Sequence, residues 1–454
     1  MSTLDLVIIT VASVSILLLL VLKFKIHAFI SLILISILVG LFTGMHFEEV
    51  LVSIQEGMAG VLGYIAVVVG IGAIFGEILQ DTGGVESLAK SMLDKFGEKK
   101  SSWALMTSGF LIAIPVFFEV GFIILVPMAF ALARKTGKSV LFYAIPMMAG
   151  LAVTHAFIPP TPGPIAVAEI IDVPLGWIII FGFIIGFPTA IVAGPWFGKY
   201  ISKKIFLKPP EIDPDLKDIT TEQREDLPSY QWVIFLIALP LFLIFLRTII
   251  ELGYKEQWMP ENIFWDSLRF LGHPFIALLL ATLLAGYMMG IRRGYSSEQI
   301  MRVANAALSP AGLIILVTGA GGVFKQILVD SGVGESLAMI LTKYSISPVI
   351  LAYIIAIVVR VTQGSATVAM ITAAGMIAPV IEVIGFTDME KSLIVIAIAS
   401  GSTMLSHVND SGFWLIAKYL NMSEKQTLKS WTLMESLISV FSFVIVLILA
   451  WIFG

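Results

Sequence analysis

The chain has 454 residues, of which 58% are hydrophobic and only 13% charged, with a net charge of −4 and a mean hydropathy of +0.97. So little charge cannot cover the surface of a water-soluble protein of this length, which excludes a soluble globular enzyme and puts the chain in lipid. The absence of cysteine excludes disulfides, thiolate metal sites and thiol chemistry, and the small net charge gives no sign of a nucleic-acid partner.

The apolar runs Leu6 to Leu22, Ala28 to Gly44, Pro274 to Ile291 and Leu433 to Phe453 approach the ~20 residues that a helix needs to cross a bilayer. The first run has no basic leader or small-residue cleavage site, and Lys23 and Lys25 follow it, so it reads as a spanning helix rather than a removable signal. Positive residues mark the cytoplasmic side. Lys23, Lys25, Lys90, Lys95, Lys99, Lys100, Arg134, Lys135 and Lys138 all fall on one side, whereas segments 44–57 and 170–174 carry none.

For Lys100 and Arg134 to share a side, the stretch between them must enter and return, as two short crossings or as a re-entrant hairpin; a hairpin over 102–135 is expected. Its middle, Pro115 to Gly121, reads as a break in the helix, tolerated in a membrane only inside protein or beside water. Glu119 is the acid in that hairpin and suits proton pickup and release; the bland alternative is a static carboxyl. Further along, His155 precedes a second break, Pro159-Pro160-Thr161-Pro162-Gly163-Pro164.

The longest polar segment, 199–229, reads as a cytoplasmic linker between an N-terminal repeat over 1–198 and a C-terminal repeat over 230–454. At an offset of 249 residues, the twenty positions from Gly70 to Ala89 match Gly319 to Ala338 at eleven, including the pairs Asp81 with Asp330 and Glu86 with Glu335. Basic clusters in the second part, Arg292, Arg293, Arg302, Lys418, Lys425 and Lys429, lie on elements that correspond to uncharged ends in the first. The repeats therefore face opposite ways. The expected fold is an all-α polytopic membrane protein of two inverted repeats, with about ten spanning helices and two re-entrant hairpins (12 to 14 hydrophobic segments) and both termini outside. Inverted repeats of this kind characterise secondary transporters.

The second hairpin, 347–380, carries Arg360, Thr362, Gln363, Gly364, Ser365 and Thr367 at its tip. Arg360 keeps its charge and presents a planar fork matched to a carboxylate, so it reads as the anchor for an anion, with a structural ion pair as the alternative. Ser406-His407 and Asn409-Asp410-Ser411-Gly412 repeat the hydroxyl-histidine pair and break of the first half, Thr154-His155 and the prolines. His155 and His407 could bind protons or hydroxyls, or simply bridge helices. Asp410 and Asn409 could pair with Arg360, read hydroxyls, or form an ordinary turn. Lys325 reads as a paired structural residue and His27, His46 and His273 as interfacial ones; no Walker signature accompanies the glycines.

With these segments in view, the chain resembles the gluconate:proton symporter family, the gluconate permeases, along essentially its whole length. The likeness is carried by Phe117 to Phe122, by His155 with residues 159–164, by Gly364 to Ala369 and by Ser406 to Trp414. It implies uptake of a sugar acid, gluconate first, with protons as the coupling ion and no cofactor, across a bacterial inner membrane. Membrane lipid and the small acid are then the partners, and a homodimer is compatible with it. The implied substrate site draws on Arg360, Thr362, Gly364, Ser365 and Thr367, on His155, Thr161 and Gly163, and on His407 and Asn409; Glu119 and Asp410 handle protons. Arg360, His407 and Asn409 resemble the gluconate branch rather than the D-serine branch, whereas Thr161 stands where many relatives have histidine. The alternatives are another small hydroxy or amino acid, sodium coupling, and, remotely, a passive anion channel or an intramembrane hydrolase built from Ser406, His407 and Asp410.

Overall fold

The structure is a computed structural model that describes residues 3–209, 226–344 and 346–453. Residues 210–225, most of the expected linker 199–229, lie outside the described residues. Every regular element among those described is helical. In the first part these are α1 (Thr3–Leu22), α2 (Ala28–Phe42), α3 (Phe47–Asp81), α4 (Gly84–Phe96), α5 (Ser101–Ile112), α6 (Phe118–Thr136), α7 (Leu141–Phe157), α8 (Pro162–Ile171), α9 (Leu175–Ile191) and α10 (Phe197–Lys204). In the second they are α11 (Tyr230–Lys255), α12 (Ile263–Leu271), α13 (Pro274–Ala285), α14 (Ser297–Asp330), α15 (Val333–Lys343), α16 (Pro348–Gln363), α17 (Ala366–Ile384), α18 (Asp388–Ser402), α19 (Ser411–Tyr419) and, after a short turn at Glu424–Thr427, α20 (Leu433–Phe453).

Among the described residues, eight helical stretches are long and apolar enough to cross a membrane, so the chain is a polytopic membrane protein. Its outer faces carry exposed apolar side chains such as Phe242, Leu283, Val444 and Ile448, as a lipid-facing surface requires. The second run is shorter than its hydropathy suggests. It stops at Phe42 because Gly44 adopts φ +88°, and its 15 residues cover about 22 Å. The helix entering the linker region instead runs on to Lys204, past a π turn at Val192–Trp196. The segment expected as the first hairpin, 102–135, holds α5 and α6, and the one expected as the second, 347–380, holds α16 and α17, the latter continuing to Ile384 until Gly385 closes it at φ +79°.

The two long helices α3 and α14 pack along each other. Their backbones touch at Gly57 and Gly322, where a Cβ on Gly57 would lie 2.7 Å from Gly322 O; only glycine permits that approach, and close backbones are how helices associate without a hydrophobic drive. Ser53 on α3 donates to Asp330 Oδ2 on α14 at 2.6 Å. His27 and His273 each accept the amide of the residue two ahead through Nδ1, Phe29 at 3.2 Å and Phe275 at 3.3 Å, capping α2 and α13. Lys325 pairs with Glu382 at 2.6 Å, a structural role.

Candidate functional site

The last turn of α16 is the foundation of the site. A helix ends with carbonyls that have no intrahelical donor, and away from water each needs one from elsewhere. Gly364, at φ +80°, turns its amide back onto Arg360 O at 2.9 Å. The next two carbonyls are met by the break after α18. His407 Nε2 lies 2.9 Å from Val361 O, and because a carbonyl only accepts, that nitrogen carries the proton. Asn409 Nδ2 donates to the same oxygen at 2.9 Å and to Thr362 O at 3.2 Å. A Cβ on Gly364 would overlap Asn409 O, so the two segments meet backbone to backbone.

Arg360 folds over this turn. One guanidinium nitrogen donates to Gly364 O, and the other forms a 2.6 Å ion pair with Asp410 Oδ2. Arg360 is 4% exposed, and its Nε has no partner among the described residues. Asp410 is held from two further directions. Its Oδ1 accepts Gly412 N at 3.0 Å, capping α19, while Oδ2 also accepts Ser406 Oγ. Ser406 in turn accepts Trp431 Nε1 at 2.6 Å, and its carbonyl accepts Thr432 Oγ1.

The first half reaches the same place. The ring of Phe118, the first residue of α6, lies 5.3 Å from that of Trp431, so the break before α6 joins the chain Trp431, Ser406, Asp410, Arg360. Glu119 stands in the first turn of α6, where the positive helix end favours an anion, but it is exposed and makes no hydrogen bond or ion pair among the described residues. Glu119 therefore faces outward, while its apolar neighbours Val116 and Phe118 take the buried positions. His155, at the end of α7, sits 6.1 Å from the ring of Phe117; its Nδ1 is buried without a partner, as is Thr154 Oγ1.

Several expected ligands have other occupations here. Thr161 is buried and donates to Ile158 O at 2.6 Å, just after the cis bond between Pro159 and Pro160. Gly163 serves close approach, since a Cβ there would come 2.9 Å from Met370 Sδ on α17. Thr362 Oγ1 donates to Val358 O at 2.7 Å, and Ser365 Oγ caps α17 at Val368 N, 3.4 Å away. Thr367 is half-buried in the first turn of α17. The hydrolase reading fails on geometry: Ser406 is directed at Asp410 while His407 is spent on Val361, so no serine-to-histidine relay exists.

Trp431, Thr432 and Glu435 belong to this neighbourhood and escaped the sequence reading. Glu435 was discoverable, as a lone acid inside the apolar run Leu433 to Phe453. Two cavities of about 370 and 360 Å³ lie away from these residues, around Arg247, Glu251 and His273, the second extending to Tyr64 and Glu169. The arrangement at Arg360 places one buried cation, paired with a single carboxylate, beside the N-termini of α17 and α19.

The sequence model of the GntP family permeases matches residues 4–452. A gluconate permease of Pseudomonas aeruginosa is 40% identical over 96% of this chain and 95% of its own length. The low-affinity gluconate transporter of Escherichia coli is 41% identical over 96% of each chain. The Gnt-II system L-idonate transporter of the same species is 39% identical over 95% of this chain and 96% of its own. Among solved structures, the Alcanivorax borkumensis YdaH transporter shares the fold with a TM-score of 0.63 at 12% identity, over 93% of this chain and 97% of that one.

Proposed function

The chain belongs to the GntP family of permeases, and we propose from that membership that it is a secondary transporter importing a gluconate-type sugar acid with protons. The relatives named for gluconate and L-idonate share a substrate chemistry of one carboxylate on a chain of hydroxyls. The observation that carries the reading onto this chain is the buried Arg360–Asp410 pair where the second hairpin tip meets a broken helix. A carboxylate that replaces Asp410 on the guanidinium finds a matched fork, and the hydroxyls of Ser365 and Thr367 and the imidazole of His155 stand at the two breaks for its hydroxyls, while Asn409 holds the tip carbonyls in place. Thr362 and Gly364 shape the tip, Thr161 and Gly163 seat the first break against α17, and His407 steadies the tip from the other side.

Glu119, exposed beside His155, is the proposed proton entrance, and Asp410 the partner released when substrate takes its place. Importing a monovalent anion against 100 mV costs ~2.3 kcal/mol, which one accompanying proton cancels electrically.

The two-repeat architecture supports alternating access. The helices α3 and α14 have 35 and 34 residues, the caps His27 and His273 recur, and breaks follow α5 and α16 alike. The 12 residues of α5 cover about 18 Å, short of the ~30 Å core, as a re-entrant arm requires. The basic clusters orient the linker to the cytoplasm and both termini outward, in a bacterial inner membrane, with about ten crossings and two hairpins.

Counterflow tests the substrate assignment. Proteoliposomes loaded with unlabelled gluconate should draw in labelled gluconate, with competition from L-idonate and none from D-serine. Competition by D-serine alone would overturn it.

A further inference from the structure

Glu435 is 3% exposed, in the first turn of the last spanning helix, and makes no hydrogen bond or ion pair among the described residues; its Oε1 is sealed from solvent without a donor. It stands one turn after Thr432, which donates to Ser406 O beside Asp410, and one turn before Ser439. Ser439 Oγ lies 3.1 Å from Tyr353 OH on α16, and the rings of Tyr353 and Phe443 stack at 3.6 Å. Residues three and four apart share a helix face, as do Tyr353 and Arg360, seven apart on α16. Glu435 is thus held between the Tyr353 contact and the Asp410 network, along the face of α16 that ends in Arg360.

Arg360, already paired with Asp410, stands at the end of the face along which Glu435 lies. The other ionisable groups on elements packed against this region are Tyr353 on α16, Tyr143 and His155 on α7, Glu119 next to Phe118, and the exposed Lys429 on the π turn Leu428–Thr432 that leads into α20; those of α18, Asp388, Glu390 and Lys391, sit at its start, and α9 has none. None donates a hydrogen bond to Glu435.

We propose that Glu435 is the seat of the co-transported proton, a protonation site that licenses anion binding at Arg360; this rests on the transport reading above. With Glu435 ionised, Arg360, Asp410 and Glu435 sum to one negative charge and repel an incoming carboxylate. A proton on Glu435 makes the site neutral, and it also removes the cost of a buried carboxylate that lacks donors. The linkage is reciprocal, so substrate binding tightens the proton by the same factor. On release to the cytoplasm the acid leaves Arg360, Asp410 returns to it, and Glu435 gives up its proton, one proton for one anion.

The test uses purified, full-length protein. In the wild type, gluconate affinity should fall about tenfold per pH unit once the linked proton dissociates. In Glu435→Gln, a neutral mimic of similar shape, affinity should be flat from pH 5.5 to 8.5, with counterflow kept and uphill accumulation on a pH gradient lost. Glu435→Asp should restore a pH-dependent affinity. A direct reading on the wild type covers the case of a variant that does not fold: a hydrophobic carbodiimide, which modifies protonated buried carboxyls, should label Glu435 at pH 6 and several-fold less at pH 8.5, by peptide mass spectrometry. Wild-type pH dependence and accumulation in Glu435→Gln, or labelling of Glu435 that ignores pH, would overturn the proposal. A wild type that neither binds nor carries gluconate would overturn the transport reading instead.

Discussion

Asp410→Asn isolates the charge of the central ion pair while keeping the shape of the side chain and its cap on Gly412 N. Arg360, 4% exposed, would then carry a charge with no opposite partner in contact, because Asp410 is its ion-pair partner at 2.6 Å. Removing one member of a buried pair costs about 3–5 kcal/mol, most of it the penalty of the charge left behind. The substrate carboxylate should repair that loss. Unfolding followed by tryptophan fluorescence in detergent should therefore show the variant melting well below the wild type without ligand. Gluconate should raise its melting point by more than it raises that of the wild type, where Asp410 competes for the same fork. An uncharged polyol such as sorbitol should do neither. A variant that melts with the wild type, or that gluconate fails to stabilise preferentially, would refute the idea that substrate and Asp410 share Arg360.

Substitutions at three further positions probe the parts around it. Arg360→Gln should abolish gluconate binding, whereas Arg360→Lys should retain a weakened, measurable affinity because charge remains and the fork is lost; equal binding by both in a direct titration would contradict the anchor role. Gly364→Ala forces a side chain into φ +80°, costing about 1–2 kcal/mol, and its Cβ overlaps Asn409 O, so counterflow should fall to background even where membrane expression persists. Glu119→Gln should slow uptake driven by a pH gradient while leaving exchange near the wild-type rate, and unchanged uphill uptake would remove Glu119 from the proton route.

Much of the scaffold was legible because lipid constrains it so strongly: apolar runs of spanning length, and glycines and prolines that interrupt them. The matched segments from Gly70 and Gly319 announced the two long helices that the structure packs together. The ends of α16 were harder. His407 and Asn409 look like ligands in sequence, yet their donors go to carbonyls 46 to 48 residues away, whose need arises only once Gly364 ends the helix. The ion pair of Arg360 with Asp410 was foreseeable as one choice among several, since both charges lie in apolar sequence and neither is tolerable alone. Glu119 differs because exposure depends on how the tip of α6 sits against Trp431, a contact that spans both halves of the chain. Glu435 was visible as a lone acid in a spanning run, but only the face it shares with Thr432 and Ser439 ties it to Arg360.

Gluconate accumulation in sealed proteoliposomes tests the central claim most directly. An imposed gradient, alkaline inside, should drive labelled gluconate above its external concentration with no sodium present, and a protonophore should return it to equilibrium. Accumulation that needs a sodium gradient and ignores the proton gradient, or mere equilibration under either, would contradict it.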